Sequence, residues 1–190
     1  MTGSPGPSDT TFDTRAVLAR HPSPVAPQVR EWFGELLFVT CCHEAGHAVV
    51  AHQMGSTNIN IRICATLDTA TNGRRRAASV NGLTQSRHDL DDHFGAVVVT
   101  FAGALAEPAA GTRPGSYPAT PSGGRPTGTD LDKINAYRRR HGHTETRRAE
   151  RTARALIRQE HQAIDHIATQ LFGRGPWVGQ RHLNVSDILG

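Results

Sequence analysis

Residues 43 to 47 read His-Glu-Ala-Gly-His, the pattern H-E-x-x-H. On a helix, residues four apart lie one turn above each other, so His43 and His47 project their imidazoles toward one point and preplace two zinc ligands. Zinc takes nitrogen, sulfur and carboxylate ligands in tetrahedral geometry, and a catalytic site uses three from the protein while keeping one position open. A third ligand must therefore come from elsewhere in the chain. Glu44 follows the first histidine, which sets its carboxylate beside the metal rather than on it. There it serves as general base toward an activated water, then as proton shuttle. The chain has 11 histidines to supply coincidences, and the bland alternative is a helix merely capped or cross-linked by these side chains.

The motif needs a helix, and the surrounding pattern provides one. From about Gln28 to Met54 the apolar residues Trp32, Phe33, Leu36, Leu37, Ala45, Ala48, Val49 and Ala51 recur at helical spacing, and Gly55 is a natural stop. Next, Ile59, Ile61 and Ile63 alternate with polar residues, and after TNGRRR a second extended segment runs from Ala78 to Gln85; together they predict two strands of a small sheet. The run AVVVTFAGALAE within Asp91 to Glu107 is apolar nearly all round and long enough for a buried helix. A last helix is expected over about Glu145 to Phe172, with Ala149, Ala153, Leu156, Ile157, Ile164, Ile167 and Leu171 on one face and arginines on the other. Residues 1–27 read as a mobile arm rich in Pro, Ser, Gly and Thr, and 108–126 as a Pro/Gly-rich loop inside one domain spanning 28–190.

At 190 residues and 37% hydrophobic content the chain can bury one core of ordinary size. Twenty-one basic residues against 17 acidic make it mildly basic. The arginine clusters Arg74 to Arg76 and Arg138 to Arg140, with Arg147 and Arg148, could meet phosphates, yet aromatic residues are only 5% and no stacking pattern accompanies them, which argues against nucleic acid. Three cysteines do not make a disulfide framework, and there is neither a basic, apolar leader nor a run of about 18 apolar residues. The expectation is a cytoplasmic protein with no membrane span.

The longer stretch HEAGHAVV, residues 43 to 50, resembles the start of the peptidase domain of the FtsH family, the membrane-bound ATP-dependent zinc proteases. Ala102-Gly103-Ala104-Leu105-Ala106-Glu107 is similar to the family's next signature, and Thr127-Gly128-Thr129-Asp130-Leu131-Asp132 to the segment that carries its third zinc ligand. The resemblance, which spans about Phe38 to Ile188, implies Asp130 as that ligand and a mainly helical α+β fold. In it the metal helix lies beside a small β-sheet, with a C-terminal helix-bundle portion. It also implies a zinc endopeptidase acting on unfolded or extended polypeptide. No G-x-x-x-x-G-K-[ST] phosphate loop is present, so a motor would be a separate ATPase partner, and a homo-oligomer is compatible with the family's ring assemblies. The aspzincins pair H-E-x-x-H with an aspartate in G-T-x-x-D, which Asp132 satisfies; Asp130 and Asp132 compete, and the extended HEAGHAVV match favours Asp130. A peptide is expected to add to the edge of the Ile59 to Ala65 strand.

Weaker signals complete the reading. Glu107 is either a second acceptor behind a ligating histidine or a plain helix-end carboxylate. His141 and His143 read as loop residues, Cys41 and Cys42 as packing. The rival function is a zinc-keeping regulatory or protein-interaction module that has lost turnover, and a weaker one an arginine-led nucleic-acid binder.

Overall fold

The computed structural model describes residues 27–69, 76–87, 92–107, 125–175 and 178–189. The expected arm up to residue 26, most of the 108–126 loop, and Arg74 and Arg75 lie outside them. The described chain is mainly helical with one small antiparallel sheet.

Helix α1 (Pro27–Gln53) opens on Pro27, whose fixed φ and missing N–H suit a first helical position. It closes on Gly55 at φ 80°, with the N–H of Gly55 donating to His52 O and that of Ser56 to Ala51 O. From Cys41 to Ala51 every residue but His43 is buried, so this stretch is the centre of the core. Strand β1 (Thr57–Thr69) turns Ile59, Ile61, Ile63 and Ala65 inward at the two-residue period of a strand. Each isoleucine buried there contributes about 1.5–3 kcal/mol.

Strand β2 (Arg76–Arg87) pairs with one side of β1, and β3 (Gly179–Asn184) with the other, both antiparallel. The order β2-β1-β3 makes β1 the central strand. That corrects the expectation of a peptide adding to β1, because both of its edges are already hydrogen-bonded within the sheet. The sheet also has three strands rather than the expected two.

Helix α2 (His93–Ala106) starts where Asp92 accepts from the Gly95 N–H at 2.7 Å, and most of its residues, Val97 to Ala104 among them, are buried. It packs closely on α1: a Cβ at Gly46 would come within 2.5 Å of Ala106 Cβ and 2.8 Å of Ala102 O. Helix α3 (Gly128–Gln159) is interrupted at Gly142, whose φ of 85° and ψ of 172° are not helical. Helix α4 (His161–Gly173) follows after Glu160, and the short α5 (Ser186–Leu189) ends the described chain. The single helix expected over 145–172 is thus two helices, and the first begins far earlier. Phe38 and Phe172 meet edge to face at 5.7 Å, joining α1 to α4. Among the described residues no helix is long and apolar enough to cross a membrane.

Candidate metal centre

Two helices bring three side chains to one point. His43 and His47 project from the middle of α1, and Asp130 comes from the first turn of α3, where a carboxylate is favoured by the helix dipole. His43 Nε2 lies 3.0 Å from His47 Nε2, and Asp130 Oδ2 lies 3.1 Å from His47 Nε2 and 3.3 Å from His43 Nε2. Asp132, the competing aspartate, is exposed. No other such group of three His, Cys, Asp or Glu side chains gathers among the described residues.

The far nitrogens fix how the imidazoles are protonated. His47 Nδ1 is 2.7 Å from the Val99 carbonyl, which can only accept, so Nδ1 carries the hydrogen. His43 Nδ1 is 2.8 Å from Glu107 Oε1 and donates to that carboxylate. Both Nε2 atoms in their neutral form therefore turn lone pairs toward each other and toward Asp130 Oδ2. A cation at the shared point relieves that opposition, and separations of 3.0–3.3 Å match the ligand edges of about 3.3 Å that tetrahedral bonds of about 2.0–2.1 Å produce. Two imidazoles and a carboxylate form a donor set that suits zinc.

The three side chains also shift one another's protonation. Burial disfavours the His43 cation, but hydrogen bonds to Asp130 and Glu107 outweigh it and push its pKa up to about 10. Burial likewise opposes the Asp130 anion, yet hydrogen bonds from His43 and His47 hold its carboxyl well below the usual carboxylate range.

No family model, curated protein or solved structure matches the chain.

Around the triad lies an open cleft of about 480 Å³. Glu44 lines it beside the histidines, with its carboxylate against β2: Thr84 Oγ1 donates to Glu44 Oε2 at 2.6 Å. Lys133 Nζ sits 3.5 Å from the other Asp130 oxygen, Oδ1. The structure therefore brings together His43, Glu44, His47, Asp130 and Glu107. His141 instead stacks on Tyr137, their centroids 4.4 Å apart, and His143 is exposed. Cys41 and Cys42 are buried, and desolvation raises both thiols, Cys41 to about 12.

Three residues with a place in the site were missed in the sequence. A Cβ on Gly103 would run into the Nε2 atoms of both histidines, and one on Gly82 would run into the Glu44 carboxylate. Thr84 is the third. An Asn-Gly pair at 81–82 inside a strand pattern does signal a close backbone approach, but it names no partner.

Proposed function

We propose that this chain is a zinc-dependent endopeptidase of the type its motifs resemble, hydrolysing peptide bonds in unfolded or extended polypeptide. The observation that carries the reading is the convergence of three lone pairs, from His43, His47 and Asp130, beside a fourth side chain, Glu44, that belongs to none of them. A purely structural site has no use for a carboxylate at its margin that is not one of the converging ligand groups.

His43, His47 and Asp130 would hold the zinc, with Glu107 and the Val99 carbonyl orienting the two rings from behind. Zinc held there would supply Lewis acidity, for polarising a carbonyl and for acidifying water. Glu44 takes the proton of the attacking water on its carboxylate and delivers it to the amine nitrogen as the peptide C–N bond breaks. The substrate lies along β2, whose residues 80–84 line the cleft and whose outer edge carries no partner strand among the described residues. Main-chain hydrogen bonds to that edge select extended chains with little regard to their sequence.

Bound zinc per chain, measured by elemental analysis, and cleavage of unfolded casein test this in wild type, Glu44→Gln and Asp130→Ala. The expected result is about one zinc in wild type and Glu44→Gln, with cleavage confined to wild type, and depleted zinc in Asp130→Ala. Zinc with no cleavage in wild type would leave a zinc-binding module; no zinc would sink both readings.

A further inference from the structure

We infer that Thr84 is a positioning residue for the general base, and that the strand that holds Glu44 is the one whose open edge receives the substrate. This rests on the peptidase reading above.

Two independent contacts tie Glu44 to β2. The Thr84 hydroxyl donates to Glu44 Oε2 at 2.6 Å and is also 3.1 Å from the main-chain oxygen of the same residue. Gly82, two residues away on the same face of β2, has no side chain, and the space a Cβ would take is filled by the Glu44 carboxylate. The glycine makes room and the threonine supplies the donor. One carboxylate oxygen, Oε2, is thereby held by a hydroxyl, while the other, Oε1, lies against the bare backbone of Gly82.

Strand register sets what else these two residues do. In an antiparallel ladder the main-chain N–H and C=O of successive residues point to alternate sides. The Val185 N–H donates to Ile59 O at 2.9 Å, so the polar main chain of Ile59 points toward β3. Counting in twos, Ile61 and Ile63 point the same way, away from β2. Their partners on β2 are Thr84 and Gly82, which therefore sit in non-hydrogen-bonded pairs, with N–H and C=O turned to the open edge. The side chain of Thr84 grips the base while its main chain offers a donor and an acceptor to an incoming peptide. A peptide that pairs there fixes the strand segment that carries the base, so binding and base placement are coupled through one residue.

The test compares the full-length, zinc-loaded wild type with Thr84→Val and Thr84→Ser. Thr84→Val is expected to keep its zinc and to lose about 10–100-fold in kcat, with KM within about threefold, as befits a misplaced group rather than a lost binding contact. Thr84→Ser, which restores the hydroxyl, should stay within about threefold of wild type. A second readout needs no turnover: in threonine-labelled, metal-free protein the Thr84 hydroxyl proton should exchange slowly enough to be seen by NMR, and should exchange faster in Glu44→Ala, where only the main-chain oxygen is left to accept it. Unchanged kcat in Thr84→Val, equal damage in Thr84→Ser, loss of zinc in Thr84→Val, or no slowly exchanging hydroxyl would each overturn the inference while leaving a peptidase. Absence of any cleavage by wild type would overturn it together with the reading it rests on.

Discussion

Cys41 and Cys42 precede His43 on the same turn of α1, and thiolate is as good a zinc ligand as imidazole, yet the two pairs of side chains have opposite fates. His43 and His47 each have a hydrogen-bond acceptor behind them and a second ligand group in front. The thiols are buried, and desolvation pushes their pKa values up, that of Cys41 to about 12, so they stay protonated. What distinguishes the regions is convergence, not residue type. Chain segments 52 and 83 residues away supply Val99 and Asp130 to His47, and no comparable set of donor groups gathers at the cysteines.

Removing one member of the convergent set should break the contrast most sharply. His47→Ala is expected to weaken zinc binding beyond the roughly 100-fold typical of changes to outer partners, whereas Cys42→Ser should leave zinc stoichiometry at the wild-type value. Competition with a chromophoric chelator reads both. A cysteine variant that loses zinc would mean that the thiols take part after all.

The next largest effect comes from glycines, again with opposite outcomes in two places. Gly103→Ala puts a methyl where the two imidazole Nε2 atoms lie, and about 10–100-fold weaker zinc binding is expected with every ligand intact. Gly46→Ala instead overpacks the seam between α1 and α2 against Ala102 and Ala106, costing about 1–3 kcal/mol of stability while the folded fraction keeps its zinc affinity. Urea midpoints set beside chelator competition separate the two.

These residues also mark how far the chain's own pattern could be read. His43, Glu44 and His47 were legible because one helical turn brings them together, and local spacing carries that information. Asp130 was legible only through the resemblance, since 83 residues separate it from His47. Thr84, Gly82 and Gly103 act across the fold on side chains that no local period connects to them. β3 was missed because GQRHLN contains one strongly apolar residue and buries an arginine, Arg181, beside it. The break at Glu160 has neither glycine nor proline to announce it, whereas Gly142 sits at a positive φ that glycine permits.

A smaller effect should appear on titrating the chelated protein. The folded-state pKa of His43 is raised from 6.5 to about 10, so its contribution to stability is fully present below about pH 6.5 and is lost progressively as pH rises through about 10. Asp130, whose pKa is depressed, contributes above its ordinary range and loses that contribution as pH falls. The zinc-free protein should therefore lose stability from pH 6.5 toward 10, and His43→Asn should flatten that part of the slope. Zinc requires the neutral imidazole, so loading the metal should remove the same dependence. A slope unchanged in His43→Asn would locate the titration elsewhere.

The smallest effect concerns the thiols alone. Cys64 is only partly buried on β1, whereas Cys41 and Cys42 are fully enclosed. Alkylation of the native protein at neutral pH should mark Cys64 first and leave zinc content unchanged, with Cys41 and Cys42 reacting only on unfolding. Because Cys42 adjoins His43, its modification in the folded state would require α1 to part from its neighbours. Reaction at Cys42 that keeps pace with Cys64, with zinc retained, would show that the enclosed side of α1 opens without disturbing the ligands, and the contrast between the two regions would then rest on the partners of the histidines alone.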